Sequence, residues 1–217
     1  MLELFVKGGP VMIPIALCAL AATVIVVERF LFFRSLKKED ALLVPKLRAA
    51  VRDGRFEEAS GLCDASASPT ASLARAGLDY RDLEEADIKE AVMNAANREV
   101  PRLERFIDSL GTVANISTLL GLLGTVTGNI RAFGVLAASG AMGNPALLAG
   151  AIAEALITTA AGLIVSIPAT IFYNYFVSRA NKTIVDLESS VGDLVLLIVQ
   201  RRSASSNTRP AGAGRAL

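Results

Sequence analysis

Residues 110–138 read LGTVANISTLLGLLGTVTGNIRAFGVLAA, and residues 147–177 read LLAGAIAEALITTAAGLIVSIPATIFYNYFV. Each stretch is long enough to cross a bilayer, because about 20 apolar residues span a hydrocarbon core of ~30 Å. Both stretches are also rich in Gly, Ala, Ser and Thr. On a helix the small and hydroxylated residues fall on one side and the bulky aliphatic residues on the other. The pattern predicts two membrane spans, each with a lipid side and a small, polar side.

The small side of the second span comprises Gly111, Ala114, Thr118, Gly121, Thr125, Gly128, Asn129 and Ala132. That of the third comprises Ala151, Glu154, Ala155, Thr158, Thr159, Gly162, Ser166 and Ala169. The bulky sides hold Ile116, Leu119, Leu120, Leu123 and Ile130, and then Leu156, Leu163, Ile164, Ile167 and Ile171. Small residues let helix backbones approach and hydroxyls bond between helices, so packing alone is one explanation of the small sides.

Glu154 needs a further explanation. A carboxylate inside a bilayer costs on the order of 3 kcal/mol, and such residues usually face a cavity, a partner or an ion path. Glu154 lies about two turns from the outer end of its span, so a structural role remains open in which it snorkels or pairs with Arg131. Pro168, in the same span, indicates a kink rather than a site.

A first span precedes these two, over residues 11–33. It carries no charge before Glu28 and Arg29, and the basic residues follow the apolar core, as in an uncleaved anchor rather than a signal peptide. Hydrophobic residues make up 53% of the chain and mean hydropathy is +0.49, both high for a soluble domain. We therefore expect an all-α integral membrane protein with three transmembrane helices, at 11–33, 110–138 and 147–177, and long helical extensions.

Lysine and arginine set the expected orientation. They follow the first and third spans and are missing from the short 139–146 turn; they are Arg34, Lys37, Lys38, Arg179, Lys182, Arg201 and Arg202. The positive-inside rule places residues 1–10 and 139–146 outside, and 34–109 and 178–202 inside. We expect 178–202 to be helical and the tail at 203–217, rich in Ser, Ala, Gly and Arg, to be disordered.

The inner segment at 34–109 is predicted to be helical. Residues 40–63 favour two short helices broken near Asp53 and Gly54, residues 66–70 a loop, and residues 83–108 one helix that runs into the second span with a kink at Pro101. The mixed charges of that helix indicate a solvated face or a contact surface for neighbouring subunits.

Several functions are disfavoured. The chain has no His, and Cys18 and Cys63 lie in apolar and charged surroundings respectively, so both are expected to be free thiols. No metal cluster, phosphate loop or nucleophile–base pair is present in the sequence, so we expect no enzyme, no cofactor and no bound metal. A net charge of +1 gives no indication of nucleic-acid binding.

Residues 121–133, GLLGTVTGNIRAF, and 153–169, AEALITTAAGLIVSIPA, resemble the two signature spans of the MotA/TolQ/ExbB proton channel family. The start, GGPVM at 8–12 with Glu28 and Arg29 closing the first span, is similar to its ExbB/TolQ-like branch. The resemblance implies a homopentamer around a pore in the bacterial inner membrane. It also implies a dimer of single-span partners of the ExbD/TolR/MotB type in that pore, each supplying one membrane Asp. The outside is then the periplasm.

The resemblance also assigns residues. Thr125 matches the pore threonine of the second span, Thr159 that of the third, and Glu154 the glutamate one turn outside it. Thr118 and Thr158, on the same small sides, are further candidates for lining the proton path. Arg131 departs from the family pattern, which carries a neutral residue there, so the resemblance leaves open whether the ion is a proton or sodium.

The expected function is therefore the channel-forming subunit of a motor driven by the proton-motive force, acting with its partner on the periplasm or outer membrane. The resemblance does not choose between a TonB-type, a Tol-type and a gliding system. One alternative is a passive scaffold whose polar faces serve only packing. Another is a self-sufficient secondary transporter, which the lack of an internal repeat disfavours.

Overall fold

The computed structural model describes residues 8–139 and 145–207. It contains six helices in these ranges: α1 Met12–Arg52, α2 Phe56–Asp64, α3 Pro69–Asp79, α4 Glu85–Glu104, α5 Ile107–Ser139 and α6 Pro145–Asn207. No strand occurs in the described part of the chain. The predicted all-α class is confirmed. Three of the helical stretches, Met12–Arg52, Glu85–Ala137 and Pro145–Arg201, are long and apolar enough to cross a membrane, and each overlaps one predicted span.

The chain divides into two units. The first, here called the span unit, comprises the residues up to Phe30 together with Arg105–Ser178. Its outward surface is apolar, with Leu17, Leu119, Leu156 and Ile164 each exposed by 62% or more. The predicted bulky sides of α5 and α6 are thus the exposed sides, as lipid contact requires.

The second, here called the polar unit, comprises Leu31–Glu104 and the residues from Arg179 on. It has a conventional aliphatic core: apolar side chains at helical spacing on its helices are less than 9% exposed, among them Leu43, Leu47, Leu73, Leu78, Ile88, Val92, Leu187 and Val195. The thiol of Cys63 is part of this core, and its burial raises the pKa from the ordinary 9.0 to about 11. Both Cys63 and Cys18 are free, as predicted.

Helix α1 does not end where the first span was predicted to end. It runs unbroken from Met12 through Pro45 to Arg52, so the predicted separate helix beginning at residue 40 is wrong. The helix continues past the membrane boundary because Leu36, Leu43 and Leu47, which follow at helical spacing, are buried in the core of the polar unit. The predicted break near Gly54 is confirmed, with φ +79 at that glycine.

The predicted loop at 66–70 is shorter than expected. Helix α3 begins at Pro69, and Ser68 caps it by accepting a hydrogen bond from the backbone N–H of Thr70. A serine cap followed by proline at the first helical position is a strong start signal, which the sequence reading assigned to a loop. The side chain of Ser68 also donates a hydrogen bond to Asp40 of α1.

The predicted continuous helix from residue 83 into the second span is also wrong. Helix α4 passes through Pro101 and ends at Glu104, and α5 begins at Ile107. Between them Phe106 adopts a left-handed conformation with φ 62, which costs a residue with a side chain about 1–2 kcal/mol. The guanidinium carbons of Arg105 and Arg29 lie 4.5 and 5.9 Å from the centre of its ring, and these cation–π contacts offset part of that cost.

The predicted third span and the predicted helix at 178–202 are a single helix, α6, which continues through Pro168. Residues 203–207, assigned to a disordered tail, belong to this helix, and 208–217 lie outside the described residues. Of the predicted 139–146 turn, residues 140–144 lie outside the described ranges, as do residues 1–7 of the predicted outer N-terminus.

Candidate functional site

Helices α5 and α6 pack antiparallel in the span unit, and glycine makes their contact possible. A Cβ atom on Gly162 would lie 2.6 Å from the backbone oxygen of Ser117 and 2.9 Å from the Cα of Gly121. A Cβ on Gly121 would lie 3.3 Å from the backbone oxygen of Thr159. Backbone thus meets backbone at this point, and only residues without a side chain allow such an approach.

The close contact continues toward the predicted outer end. A Cβ on Gly124 would lie 2.5 Å from the Cβ of Thr158, and one on Gly128 would lie 2.5 Å from the Cβ of Ala155. Thr158 is only 1% exposed as a result. Much of the small side of each helix is therefore occupied by the other helix of the same chain.

Hydroxyl groups add hydrogen bonds to this packing. Thr159 Oγ1 donates to the backbone oxygen of Gly121 at 2.8 Å, and Thr118 Oγ1 lies 2.6 Å from Ser166 Oγ. Both contacts join α5 to α6. Hydrogen bonds between membrane helices are worth about 0.6 kcal/mol on average, so these fix the register of the pair more than they stabilise it.

The candidate threonines differ in what they contact. Thr158 Oγ1 lies within hydrogen-bond distance of the backbone oxygens of Glu154 and Ala155, at 3.0 and 2.9 Å, so its hydroxyl is bound within its own helix. Thr125 Oγ1 donates to the backbone oxygen of Leu122 at 2.6 Å, and its side chain is only partly covered. Thr125 makes no hydrogen bond to α6 among those described, which leaves its hydroxyl oxygen able to accept one from water or a partner.

At the predicted outer end of the contact, Glu154 forms an ion pair with Arg131. The Arg131 side chain is 54% exposed and that of Glu154 is 21% exposed. Gly9 has φ +67, and a Cβ there would collide with the carboxylate of Glu154. Glu154 is therefore held between an arginine and the N-terminal segment, and its charge is compensated inside the chain.

The opposite end of the span unit holds a second ion pair. Arg29 is 2% exposed, and its Nε and Nη2 lie 2.5 and 2.7 Å from the two carboxylate oxygens of Glu28. Such two-point contact satisfies a buried guanidinium that would otherwise be costly at the edge of a membrane. Arg29, which closes the predicted first span together with Glu28, thus joins α1 to Phe106, the residue before α5.

Most residues predicted for the small sides of α5 and α6 are buried or partly buried, but the prediction left out two residues of the contact. Ala114, Gly128, Ala155 and Ser166 are buried as expected, whereas Ser117 and Gly124 were not assigned to that side, although both are buried in the contact. The signal was available, since Ser117 and Gly121, and Gly124 and Gly128, each form a small-xxx-small pair. The structure does not bring Thr125 and Thr159 into a direct hydrogen bond among those described.

The sequence model of the MotA/TolQ/ExbB proton channel family matches residues 65–189. This chain belongs to that family. Among its relatives is an ExbB-like biopolymer transport protein of Synechocystis sp., 35% identical over 91% of this chain and 78% of the relative. The Tol-Pal system protein TolQ of Haemophilus influenzae is 40% identical over 54% of this chain and 52% of its own length. The biopolymer transport protein ExbB of Neisseria gonorrhoeae is 29% identical over 92% of this chain and 97% of its own length.

The family match includes α5 and the part of α6 that holds Glu154, Thr158 and Thr159, so the contact described above lies within the matched region. The chain is an integral membrane protein of the ExbB/TolQ-like branch.

Proposed function

We propose that this chain is the channel-forming subunit of an inner-membrane complex that uses the proton-motive force to drive work in the periplasm or at the outer membrane. The observation that carries the proposal is the hydroxyl-lined contact of α5 and α6, with one carboxylate at its predicted outer end, in a protein of the proton channel family. Each proton that crosses 100 mV supplies about 2.3 kcal/mol, before the pH term is added.

Threonine suits a proton path because its hydroxyl both donates and accepts hydrogen bonds and holds no charge of its own. Thr125 and Thr159 are proposed to order the water that carries the proton. Glu154 is proposed to lie at the entrance of the path, where its ion pair with Arg131 weakens its attraction for cations. Thr118 and Thr158 are proposed to support the path from within the α5–α6 contact, since the Thr118 hydroxyl lies 2.6 Å from that of Ser166 and the Thr158 side chain packs against Gly124.

A partner completes the path in this proposal. In the described part of the span unit the carboxylates are Glu28, Asp108 and Glu154, each near an end of a predicted span. A proton that crosses mid-membrane therefore needs an acid from elsewhere. We propose a dimer of single-span partners of the ExbD/TolR type, each bringing one Asp, inside a homopentamer of this chain with its N-terminus in the periplasm and its C-terminus in the cytoplasm.

A second candidate is a membrane scaffold whose polar sides only pack helices. The observation that favours it is the close α5–α6 contact, where the glycines and Thr158 are used within one chain. The ion pair between Glu154 of α6 and Arg131 of α5 also fits this candidate, because it compensates the carboxylate within the chain. Neither candidate is an enzyme.

Proton uptake separates these candidates. Vesicles holding the chain together with its single-span partner should take up protons under an imposed potential, while vesicles holding the chain alone should not. Equal uptake by the chain alone would instead favour a self-sufficient transporter. A lack of uptake in both preparations, with intact complexes confirmed by native mass spectrometry, would favour the scaffold.

A further inference from the structure

A cavity of about 310 Å³ lies within the polar unit, between α1, α3 and α6. Its charged lining residues are Lys37 and Asp40 of α1 and Arg179, Lys182 and Asp186 of α6. Aliphatic and aromatic side chains form part of the wall, and hydroxyls line the rest; they are Phe33, Leu36, Val44, Leu187, Thr70, Thr183 and Ser190. The volume is at the lower end of the range for small-molecule sites.

The charges in this cavity are not balanced. Lys37, Arg179 and Lys182 form no ion pair with any side chain that the structure describes. Asp40 accepts a hydrogen bond from Ser68, which leaves the carboxylate of Asp186 as the other anion. Three cations against two carboxylates leave a net charge of +1, so a ligand with a single negative charge would neutralise the site.

The cavity lies close, along the chain, to the ends of two predicted membrane spans, which indicates the source of a negatively charged ligand. Phe33 ends the predicted first span, and Lys37 follows it by about 6 Å along the same helix. Lys182 follows the end of the predicted third span by about 7 Å along α6. The headgroup layer of a bilayer is about 5–8 Å deep, so both lysines lie at its level.

We propose that this cavity binds the phosphodiester headgroup of an anionic phospholipid from the cytoplasmic leaflet. The phosphodiester carries one negative charge, which matches the excess of one cation. Lys37, Arg179 and Lys182 contact the phosphate, since ammonium and guanidinium groups are the usual partners of phosphate oxygens. The hydroxyls of Thr183 and Ser190 are available to the glycerol part, and the apolar wall at Phe33 and Leu36 faces the start of the acyl chains. The assignment concerns lipid binding and does not depend on proton conduction.

The adjacent residue Lys38 provides a matched control. It is exposed on α1, lies at the same depth as Lys37 and does not line the cavity. A general attraction between basic residues and an anionic surface would respond to either lysine, whereas a built site responds only to Lys37. The test compares Lys37→Gln/Lys182→Gln with Arg34→Gln/Lys38→Gln, each of which removes two positive charges near the end of a predicted span; Arg34 is exposed and does not line the cavity.

The full-length protein in neutral detergent is titrated with phosphatidylglycerol, phosphatidylcholine and water-soluble glycerol 3-phosphate, and bound ligand is counted by native mass spectrometry. Phosphatidylglycerol should bind wild type and the Arg34/Lys38 variant alike, and the Lys37/Lys182 variant about 30-fold more weakly. Unfolding temperature in detergent checks that both variants are folded. Equal affinity for phosphatidylcholine, an equal loss in both variants, or binding of glycerol 3-phosphate in place of the lipid would each overturn the assignment.

Discussion

Replacing Gly162 by Ala should separate α5 from α6 and destabilise the span unit. The new Cβ would lie 2.6 Å from the backbone oxygen of Ser117 and 2.9 Å from the Cα of Gly121, and neither backbone atom can move without moving its helix. Overpacking of this kind costs about 1–3 kcal/mol. Separation of the two helices also weakens the hydrogen bond from Thr159 to the backbone oxygen of Gly121, which adds about 0.6 kcal/mol to the loss of stability.

Gly150 supplies the matched control on the same helix. A Cβ at this position meets nothing within 4 Å. Both substitutions gain the better helix propensity of Ala, about 1 kcal/mol, so that gain cancels when the two variants are compared. The expected difference in the free energy of unfolding between Gly150→Ala and Gly162→Ala is therefore about 2–4 kcal/mol.

The measurement is the loss of helical circular dichroism as sodium dodecyl sulfate is added to the protein in mild detergent. Gly162→Ala should unfold at a lower mole fraction of dodecyl sulfate than wild type, and Gly150→Ala at the same or a higher one. Equal stability of the two variants would refute the inference that α5 and α6 meet backbone to backbone.

Three further predictions concern charge, topology and a buried thiol. Arg131→Gln should raise the initial rate of proton uptake by the reconstituted complex, because it leaves the Glu154 carboxylate uncompensated; an unchanged rate would show that this pair does not control entry. Ser66→Cys and Ser139→Cys, in a cysteine-free background, should be labelled by an impermeant thiol reagent from the cytoplasmic and the periplasmic side respectively, and labelling of Ser66→Cys in intact spheroplasts would contradict the topology. Burial holds the pKa of the Cys63 thiol near 11, so between pH 9 and 11 the folded state keeps a proton that the unfolded state releases. The free energy of unfolding, measured with denaturant, should therefore fall as the pH rises from 9 to 11. Cys63→Ala should remove the part of that fall that is due to the thiol.

The fold class and the spans could be predicted because membrane insertion depends on the length and apolarity of each segment. The stretches at 11–33, 110–138 and 147–177 satisfy both conditions without reference to the rest of the chain. The division of α5 and α6 into a small side and a bulky side likewise depends only on the order of residues within each helix. Most of the residues that the structure buries or exposes in these spans were therefore assigned correctly.

Helix ends outside the membrane were harder to predict. The end of α4 depends on Phe106, whose left-handed backbone is stabilised by two arginines, one of them 77 positions away in sequence. The continuity of α1 past residue 33 depends on a core that several helices build together. Both features arise from tertiary contacts, which no local pattern in the sequence reports.

The arrangement of the candidate site residues could not be predicted from the sequence, and their roles stay predictions. The resemblance to the channel family selected Thr125, Thr159 and Glu154, and the structure places Thr159 against Gly121 and Glu154 against Arg131. The ion pair had been one of the open alternatives. The use of the small side for packing within one chain could not be read from sequence, because small residues serve contacts within and between chains equally well.

Proton flux through hydroxyl-deficient variants tests the central claim most directly. Vesicles holding the complex are compared for wild type, Thr125→Val/Thr159→Val and the control Thr125→Ser/Thr159→Ser, with the amount of intact complex measured in each sample. Valine keeps the shape of threonine and removes the hydroxyl, whereas serine keeps the hydroxyl. We predict that flux falls about tenfold or more in the valine variant, with the complex still assembled, and is largely retained in the serine variant. Full flux from the valine variant would contradict the assignment of these threonines to the proton path.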